Sequence, residues 1–339
     1  MILLYVLIFI VSCFLLSWSG SRLVSGLMKM ARFLGWREFV VAFFVMAIAG
    51  SAPNLFIGIN SALHKIPQLS FGEIVGGNVV DLTLAVALAV LIGGSALPVK
   101  SKMVQSSAIF TAVIAVLPLI LIWDGNLSRA DGLVLLSSFI FYIIWLFSKS
   151  ERFKKTYIYE KQKEAKQPII EFQRKKKEVI EHKIILGFKN FFKGLRKVIV
   201  ALVLLLVASQ GIVKSAQVFS TALGVTLPVV GILIVGIGNA LPETYFAIVS
   251  ARRKQTWMIL GDLMGAVIVC ATFVLGIVAL ICPIEIKDFS PFAIARTFLI
   301  ISAGFFLIAV RTDRKITRKE GLFLLLIYIL FLISEIFFR

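Results

Sequence analysis

Four acidic residues stand in stretches of the chain that are otherwise apolar: Glu73, Asp81, Glu243 and Asp262. A charged side chain at the bilayer centre costs roughly 2.5–3.5 kcal/mol on insertion scales, so such residues are expected only where they face a cavity or a partner. No Lys or Arg stands near the middle of these stretches to neutralise them. Hydroxyl, amide and small residues surround them, without a cluster of His or Cys. Carboxylates with hydroxyl, amide and backbone oxygens describe a site for a hard cation, sodium or calcium. Protons could occupy the same carboxylates.

The acids belong to a pattern that occurs twice. Ala49-Gly50-Ser51-Ala52-Pro53-Asn54 aligns with Gly238-Asn239-Ala240-Leu241-Pro242-Glu243 at a separation of 189 residues, 242 minus 53. The same separation carries Phe56 to Tyr245, Ser61 to Ser250, Gly72 to Gly261, Glu73 to Asp262 and Gly76 to Gly265. Proline inside a helix removes one hydrogen bond and clashes with the preceding turn. In lipid, the freed backbone groups must be satisfied by protein or by a wet cavity. Pro53 and Pro242 are therefore expected to break their helices at the midplane and turn carbonyls toward something polar. Gly50 and Gly238 would permit close packing, while Ser51 and Asn239 would add side-chain oxygens. A simple kink packed against a neighbour is the plainer alternative, and two copies near acids weigh against it. Duplicated, interrupted apolar segments mark the substrate site of a transporter.

The elements that must hold this pattern are membrane spans. Hydrophobic residues make up 59% of 339, charged residues only 16%, and the mean hydropathy is +0.98. Several apolar runs reach the ~20 residues that cross a bilayer. Ten spans are predicted, at roughly 2–22, 38–63, 71–97, 103–123, 130–149, 197–221, 227–250, 256–282, 290–310 and 320–338. They divide the chain into a first five-helix repeat (1–149), a basic linker (150–196) and a second five-helix repeat (197–339). Loops on the linker's side carry Arg22, Lys29, Arg32, Arg37, Lys100, Lys102, Arg252, Arg253, Lys254, Arg311, Arg314, Lys315, Arg318 and Lys319. The opposite loops hold little more than Lys65, Arg129 and Lys287 beside four acids. By the positive-inside rule the linker is cytoplasmic and both termini are external. Five is odd, so the second half enters the membrane inverted.

The net charge of +18 then reflects loops held on one side, and a nucleic-acid partner is not expected. The linker, with Arg174-Lys175-Lys176-Lys177, reads as a solvated helix or as a stretch lying on anionic lipid. Glu73 and Asp262 read either as acids in a first helical turn, favoured by the helix dipole, or as one acid at each mouth of an access route. Cys13, Cys270 and Cys282 lie in or beside apolar segments without metal-ligand spacing, so no disulfide framework is expected. The run Ile2 to Trp18 lacks a basic flank and a clear cleavage site, and reads as a retained helix. His64 and His182 fall in loops, and neither a nucleophile–base pair nor a nucleotide loop is present. A diacid protease built on Asp81 and Glu243 would need two Gly-flanked Asp motifs, which are missing. The chain is not expected to be an enzyme, to bind a cofactor or to require a protein partner.

These motifs resemble those of the sodium/calcium exchanger family, the calcium:cation antiporters. That family has two inverted five-helix halves, each with a motif similar to Gly-Thr-Ser-x-Pro-Glu followed by a helix with Gly-Asn-x-x-Gly-Ser-Asn-x-x-Asn. The first repeat keeps Ser51 and Pro53 but has Asn54 in place of the hallmark Glu. Its next helix keeps Gly72, Gly76 and Asn78 and ends the motif in Asp81. The second repeat keeps Gly238, Pro242 and Glu243, then Gly261 and Gly265, with Cys270 where the family often has an acid or Asn. The resemblance implies that positions 51, 54, 77, 81, 239, 240, 243, 266 and 270 line the ion site.

Ser51, Asn54, Asp81, Asn239 and Glu243 are then the expected cation ligands. Asp81 and Glu243 are the anionic ones that face the metal. Glu73, Asn78, Asp262 and Cys270 are expected around them or along the access route. Gly77, Ala240 and Ala266 offer no side-chain oxygen, which leaves the transported ion open. The resemblance implies a multi-pass cell-membrane antiporter, its partners inorganic cations and lipid, exchanging calcium for sodium or protons. A monovalent cation/proton exchanger and a non-transporting, ion-responsive membrane scaffold are the alternatives.

Overall fold

The computed structural model describes residues 2–33, 50–93, 96–99, 102–150, 176–252, 256–286, 288–312 and 314–337. The described residues are almost entirely helical, as apolar spans must be when backbone groups have no water to bond. In the first half α1 is Ile2–Phe33, α2 is Ala52–Leu63, and α3 runs from Pro67 to Gly93. It is followed by α4, Lys102–Leu121, and α5, Arg129–Ser150. In the second half α6 is Lys176–Leu223 and α7 runs from Leu227 to Arg252. Helix α8 comprises Thr256–Ile268, Val269–Val274 and Leu275–Ile281; α9 is Ser290–Arg311 and α10 is Arg318–Phe337. Nine of these are long and apolar enough to cross a membrane. This is a multi-pass integral membrane protein.

Several boundaries differ from expectation. Helix α1 continues to Phe33 instead of ending near 22, and α3 begins at Pro67 instead of 71. The expected second span at 38–63 is seen only as α2, because 38–49 lie outside the described residues. In the expected linker, 151–175 also lie outside them, but 176–196 are helical and continuous with α6.

Burial orders the bundle. In the most apolar 18 residues of each span, about three-quarters of α3 and α8 is buried (78% and 72%), against 17% of α1 and 22% of α5. Helices α3 and α8 therefore form the centre. Leu3, Leu4, Leu7, Ile10 and Phe14 on α1, and Ile140, Phe141 and Ile144 on α5, point outward, where lipid would cover them. Lipid tails are as apolar as leucine, so close packing, not water exclusion, must hold the centre together. Helices α3 and α7 meet backbone to backbone. A Cβ on Gly72 would stand 2.4 Å from the Pro228 carbonyl oxygen, and one on Gly76 would stand 2.3 Å from that of Ile232. From the other side, a Cβ on Gly231 would stand 2.5 Å from the Leu69 oxygen. Only glycine fits at these crossings.

The principal contacts join the halves: α1 with α6, α3 with α7, α5 with α8, α4 with α9, α2 with α8 and α3 with α10. Two short antiparallel ladders do the same. β1, Leu97–Pro98, pairs with β4, Lys315–Ile316; β2, Asn126–Leu127, pairs with β3, Ile284–Glu285. A shift of 189 (315 minus 126) takes β2 to β4, and one of 187 (285 minus 98) takes β1 to β3. Each ladder thus maps onto the other.

The capping of α5 and α10 repeats as well. Asp131 Oδ2 accepts from the Ser128 backbone N–H at 2.8 Å, and Glu320 Oε2 accepts from that of Thr317 at 2.7 Å. The Ser128 and Thr317 hydroxyls take the return bonds from Asp131 and Glu320 N–H, closing two capping boxes of the same design.

Candidate cation site

Three helices contain a π-helical stretch, an unusual widening frequent at functional sites. It spans Asp81–Ala85 in α3, Val230–Val235 in α7 and Val269–Val274 in α8. Under the 189-residue separation the α3 stretch falls on 270–274, within the α8 stretch. In each, a buried threonine hydroxyl donates to the carbonyl four residues back: Thr83 to Val79 and Thr272 to Ile268. Such back-bonding competes with the regular ladder and bends helices. The sequence reading passed over both threonines, although their matched spacing was visible.

A small cavity lies against the α3 and α8 stretches. Its polar lining is Asn54, Asn78, Asp81, Asn239, Glu243 and Cys270; Ile74, Gly77, Gly236, Ala240 and Ala266 complete it. Eight of the nine expected positions thus meet in one place, among them the repeat-related pairs Asn54/Glu243, Gly77/Ala266 and Asp81/Cys270. The ninth, Ser51, is buried just before α2. Pro53 stands in the first turn of α2, where its missing N–H costs nothing. Pro242 lies inside the helical stretch Gly236–Arg252, so α7 is not broken there. Its irregular stretch comes earlier, at Val230–Val235. The helix passes through Pro242 because one lost N–H frees a single carbonyl, which neighbours can satisfy.

Polar atoms are left over in this region. Ser51 Oγ, Asp81 Oδ1 and Glu243 Oε2 are buried without a hydrogen-bond partner, as is Glu73 Oε2 nearby. Leaving a buried polar group unpaired costs on the order of 1–3 kcal/mol, and more when it is charged. Asp81 and Glu243 line the same cavity, whereas Asp262 does not. Among the described residues, no three acidic, thiol or imidazole side chains are already gathered as a metal cage. The lining instead sets two carboxylates, Asp81 and Glu243, among three asparagines, a thiol and small residues.

Glu73 is not in a first turn. With α3 starting at Pro67, it sits in the second turn and is fully buried. Its Oε1 accepts a 2.7 Å hydrogen bond from Asn239 Nδ2 across the α3–α7 contact. A carboxylate can only accept, so this bond fixes the amide of Asn239 with its NH2 toward Glu73. Nothing in the spacing of Glu73 and Asn239 revealed the contact. Asp262 is likewise the seventh residue of α8 and half-buried, beyond the first turn.

Comparison with known proteins defines the class. The sodium/calcium exchanger protein family matches the chain twice, at residues 4–148 and 195–337. The chain belongs to that family. Among its relatives, inner membrane protein YrbG of Escherichia coli is 26% identical over 93% of this chain and 91% of its own. Sodium/calcium exchanger MaX1 of Methanosarcina acetivorans is 24% identical over 91% of this chain and 92% of its own. A structure of the sodium-calcium exchanger NCX_Mj, soaked with sodium and strontium, covers 98% of this chain with 99% of its own. Its TM-score is 0.63 at 23% identity, a likeness of fold.

Proposed function

We propose that the protein is a secondary-active cation antiporter that exchanges calcium for sodium or protons by alternating access. The observation that carries this reading is the buried cavity where both copies of the repeated motif meet, lined by Asp81 and Glu243. Asp81 and Glu243 provide the negative charge that holds the ion. Asn54, Asn239 and Ser51 contribute oxygens, and Glu73 holds the Asn239 amide in register. Two carboxylates balance one calcium ion, and the gradient of the counter-ion drives its movement.

The halves are related as inverted repeats. This rests on the odd number of spans in each half, the exchangeable β ladders, the paired π-helical stretches and the double family match. The basic segment 150–196 is cytoplasmic and both termini are external, on the loop-by-loop bias of Lys and Arg. Single cysteines at Ser150 and near the C-terminus, in a cysteine-free background, test that assignment. In right-side-out vesicles an impermeant thiol reagent should label the terminal site at once and Ser150→Cys only after permeabilisation; the reverse pattern inverts the topology.

The decisive experiment is flux in proteoliposomes holding the purified protein, with calcium, sodium and proton gradients imposed separately. Calcium uptake driven by an opposing sodium or proton gradient is expected. Monovalent movement without calcium would favour a cation/proton exchanger. Absence of flux for every ion, in folded protein, would leave a membrane scaffold that has kept the fold without the transport.

A further inference from the structure

We propose that the turn joining α9 to α10, pinned by the β1–β4 ladder, is a seat for an anionic phospholipid. Its headgroup phosphate is held by Arg311, Arg314, Lys315 and the start of α10, and its acyl chains lie along the lipid-facing side of α9 and α10. The inference goes beyond ion exchange and stands whether or not the cavity transports.

Positive charge is concentrated here. Arg311 ends the span α9, Arg318 and Lys319 begin the span α10, and Arg314 and Lys315 lie in the turn between them. All five are exposed. The acid described in the same stretch, Glu320, is engaged in its capping box, where Oε2 accepts from the Thr317 N–H and hydroxyl at 2.7 and 2.8 Å. Asp313 lies outside the described residues. The ladder holds the turn in place: Lys315 pairs with Pro98, and the Val99 N–H donates to the Arg314 carbonyl at 2.7 Å.

The other ladder provides the comparison. The 189-residue separation takes 311–319 to 122–130, where Arg129 is the one basic residue. Arg314 falls on Gly125, and both have left-handed backbone, with φ of 51° and 91°. Glycine adopts that conformation freely, whereas a Cβ crowds the neighbouring carbonyl. An arginine is thus kept at a position suited to glycine, at a cost in backbone energy, and what it adds is charge.

The neighbouring surface says what that charge meets. Phe305 and Ile308 on α9, and Leu322 and Phe323 on α10, are exposed, and the two phenylalanine rings touch across the helices with centroids 4.7 Å apart. At a rise of ~1.5 Å per residue, these rings lie about 8–9 Å along the helices from Arg311 and Arg318. A headgroup at the basic turn would lay its acyl chains over them. Guanidinium forks match phosphate oxygens, and basic residues at a membrane surface attract anionic lipid. A soluble phosphate would use the charges and leave the apolar surface beside them uncovered.

The test is native mass spectrometry of the delipidated full-length protein in neutral detergent, titrated with phosphatidylglycerol and with phosphatidylcholine of the same acyl chains. Phosphatidylglycerol should bind about tenfold more tightly or better, and R311Q/K315Q should lose that preference. K193Q/R196Q, which removes two exposed basic residues at the start of the α6 span, should keep it. Arg314→Gly should weaken phosphatidylglycerol binding severalfold while leaving thermal stability equal or higher, a split that a merely structural role would not produce; it also serves if the double variant fails to fold. Equal affinity for the two lipids, or equal losses in R311Q/K315Q and K193Q/R196Q, would overturn the site. Equally tight binding of glycerophosphoglycerol, the headgroup without its chains, would overturn the lipid as occupant in favour of a soluble phosphate.

Discussion

The two halves of the cavity carry their acids in different places. Directly after the motif proline the first half has Asn54 and the second has Glu243. In the following helix, within the π-helical stretch, the first half has Asp81 and the second has Cys270. Each half therefore contributes one carboxylate, but from a different helix: α3 in the first half and α7 in the second. The total negative charge of the lining is shared evenly between the halves while its position is crossed over. A site formed by two related halves can keep its charge without keeping its symmetry. Its ion preference then depends on which neutral group faces each acid.

The largest effect should come from removing one side of this balance. Glu243→Gln is expected to lower ion-driven flux by two orders of magnitude or more, and Glu73→Gln by far less, since Glu73 reaches the cavity only through Asn239. Equal losses in proteoliposome uptake would mean that Glu73 is itself a ligand. A sharper test moves an acid instead of deleting it. Asp81→Cys alone should lose most transport, whereas Asp81→Cys with Cys270→Asp keeps the same side chains with the halves exchanged. That double variant should recover flux to within about tenfold of the parent, a difference of ~1.4 kcal/mol. Failure to recover would show that the two walls are not interchangeable.

Smaller still is the effect expected of a third acid. Asn54→Glu would place a carboxylate opposite Glu243, and should raise calcium affinity or, if the crowded acids retain a proton, make binding more dependent on pH. Calcium titrations between acidic and neutral pH would detect either change, and unaltered binding would put position 54 outside the site. The glycine crossing sets a limit from packing alone. Gly76→Ala forces the α3 and α7 backbones apart, at a cost of about 1–3 kcal/mol for overpacking. It should lower the thermal stability of the purified protein, whereas Ala at Gly304, where a Cβ meets nothing within 4 Å, should not.

Much of this arrangement was legible in the sequence, for a reason specific to repeats. Two weak signals at a fixed separation reinforce each other, which is how Pro53/Pro242, Asn54/Glu243 and Asp81/Cys270 could be aligned without a structure. The same comparison would have found Thr83/Thr272 and the capping pairs Ser128-Asp131 and Thr317-Glu320, had it been carried beyond the motifs. Pro67 announces the start of α3, because proline is favoured in a first helical turn. Hydropathy alone placed that start too late. The junction of linker and span was hidden for the opposite reason: Lys and Glu are good helix formers, so a fall in hydropathy near 196 did not mark a helix end. The bond between Glu73 and Asn239 depends on how α3 crosses α7, which no local pattern encodes.

The ladders carry a last consequence. β1 finds its partner only in the second half, and so does β2. The glycine crossing of α3 with α7 and the long contact of α1 with α6 also cross from one half to the other. Neither half can complete its own interior, yet each presents what the other lacks, as in a heterodimer whose subunits happen to share one polypeptide. The peptide link through 151–175 would then serve mainly to keep the subunits in equal number. Residues 1–150 and 176–339, produced from separate reading frames in one cell, should assemble in the membrane and co-purify through a tag on either piece. Such a split protein would allow the walls of the cavity to be varied independently and recombined by co-expression.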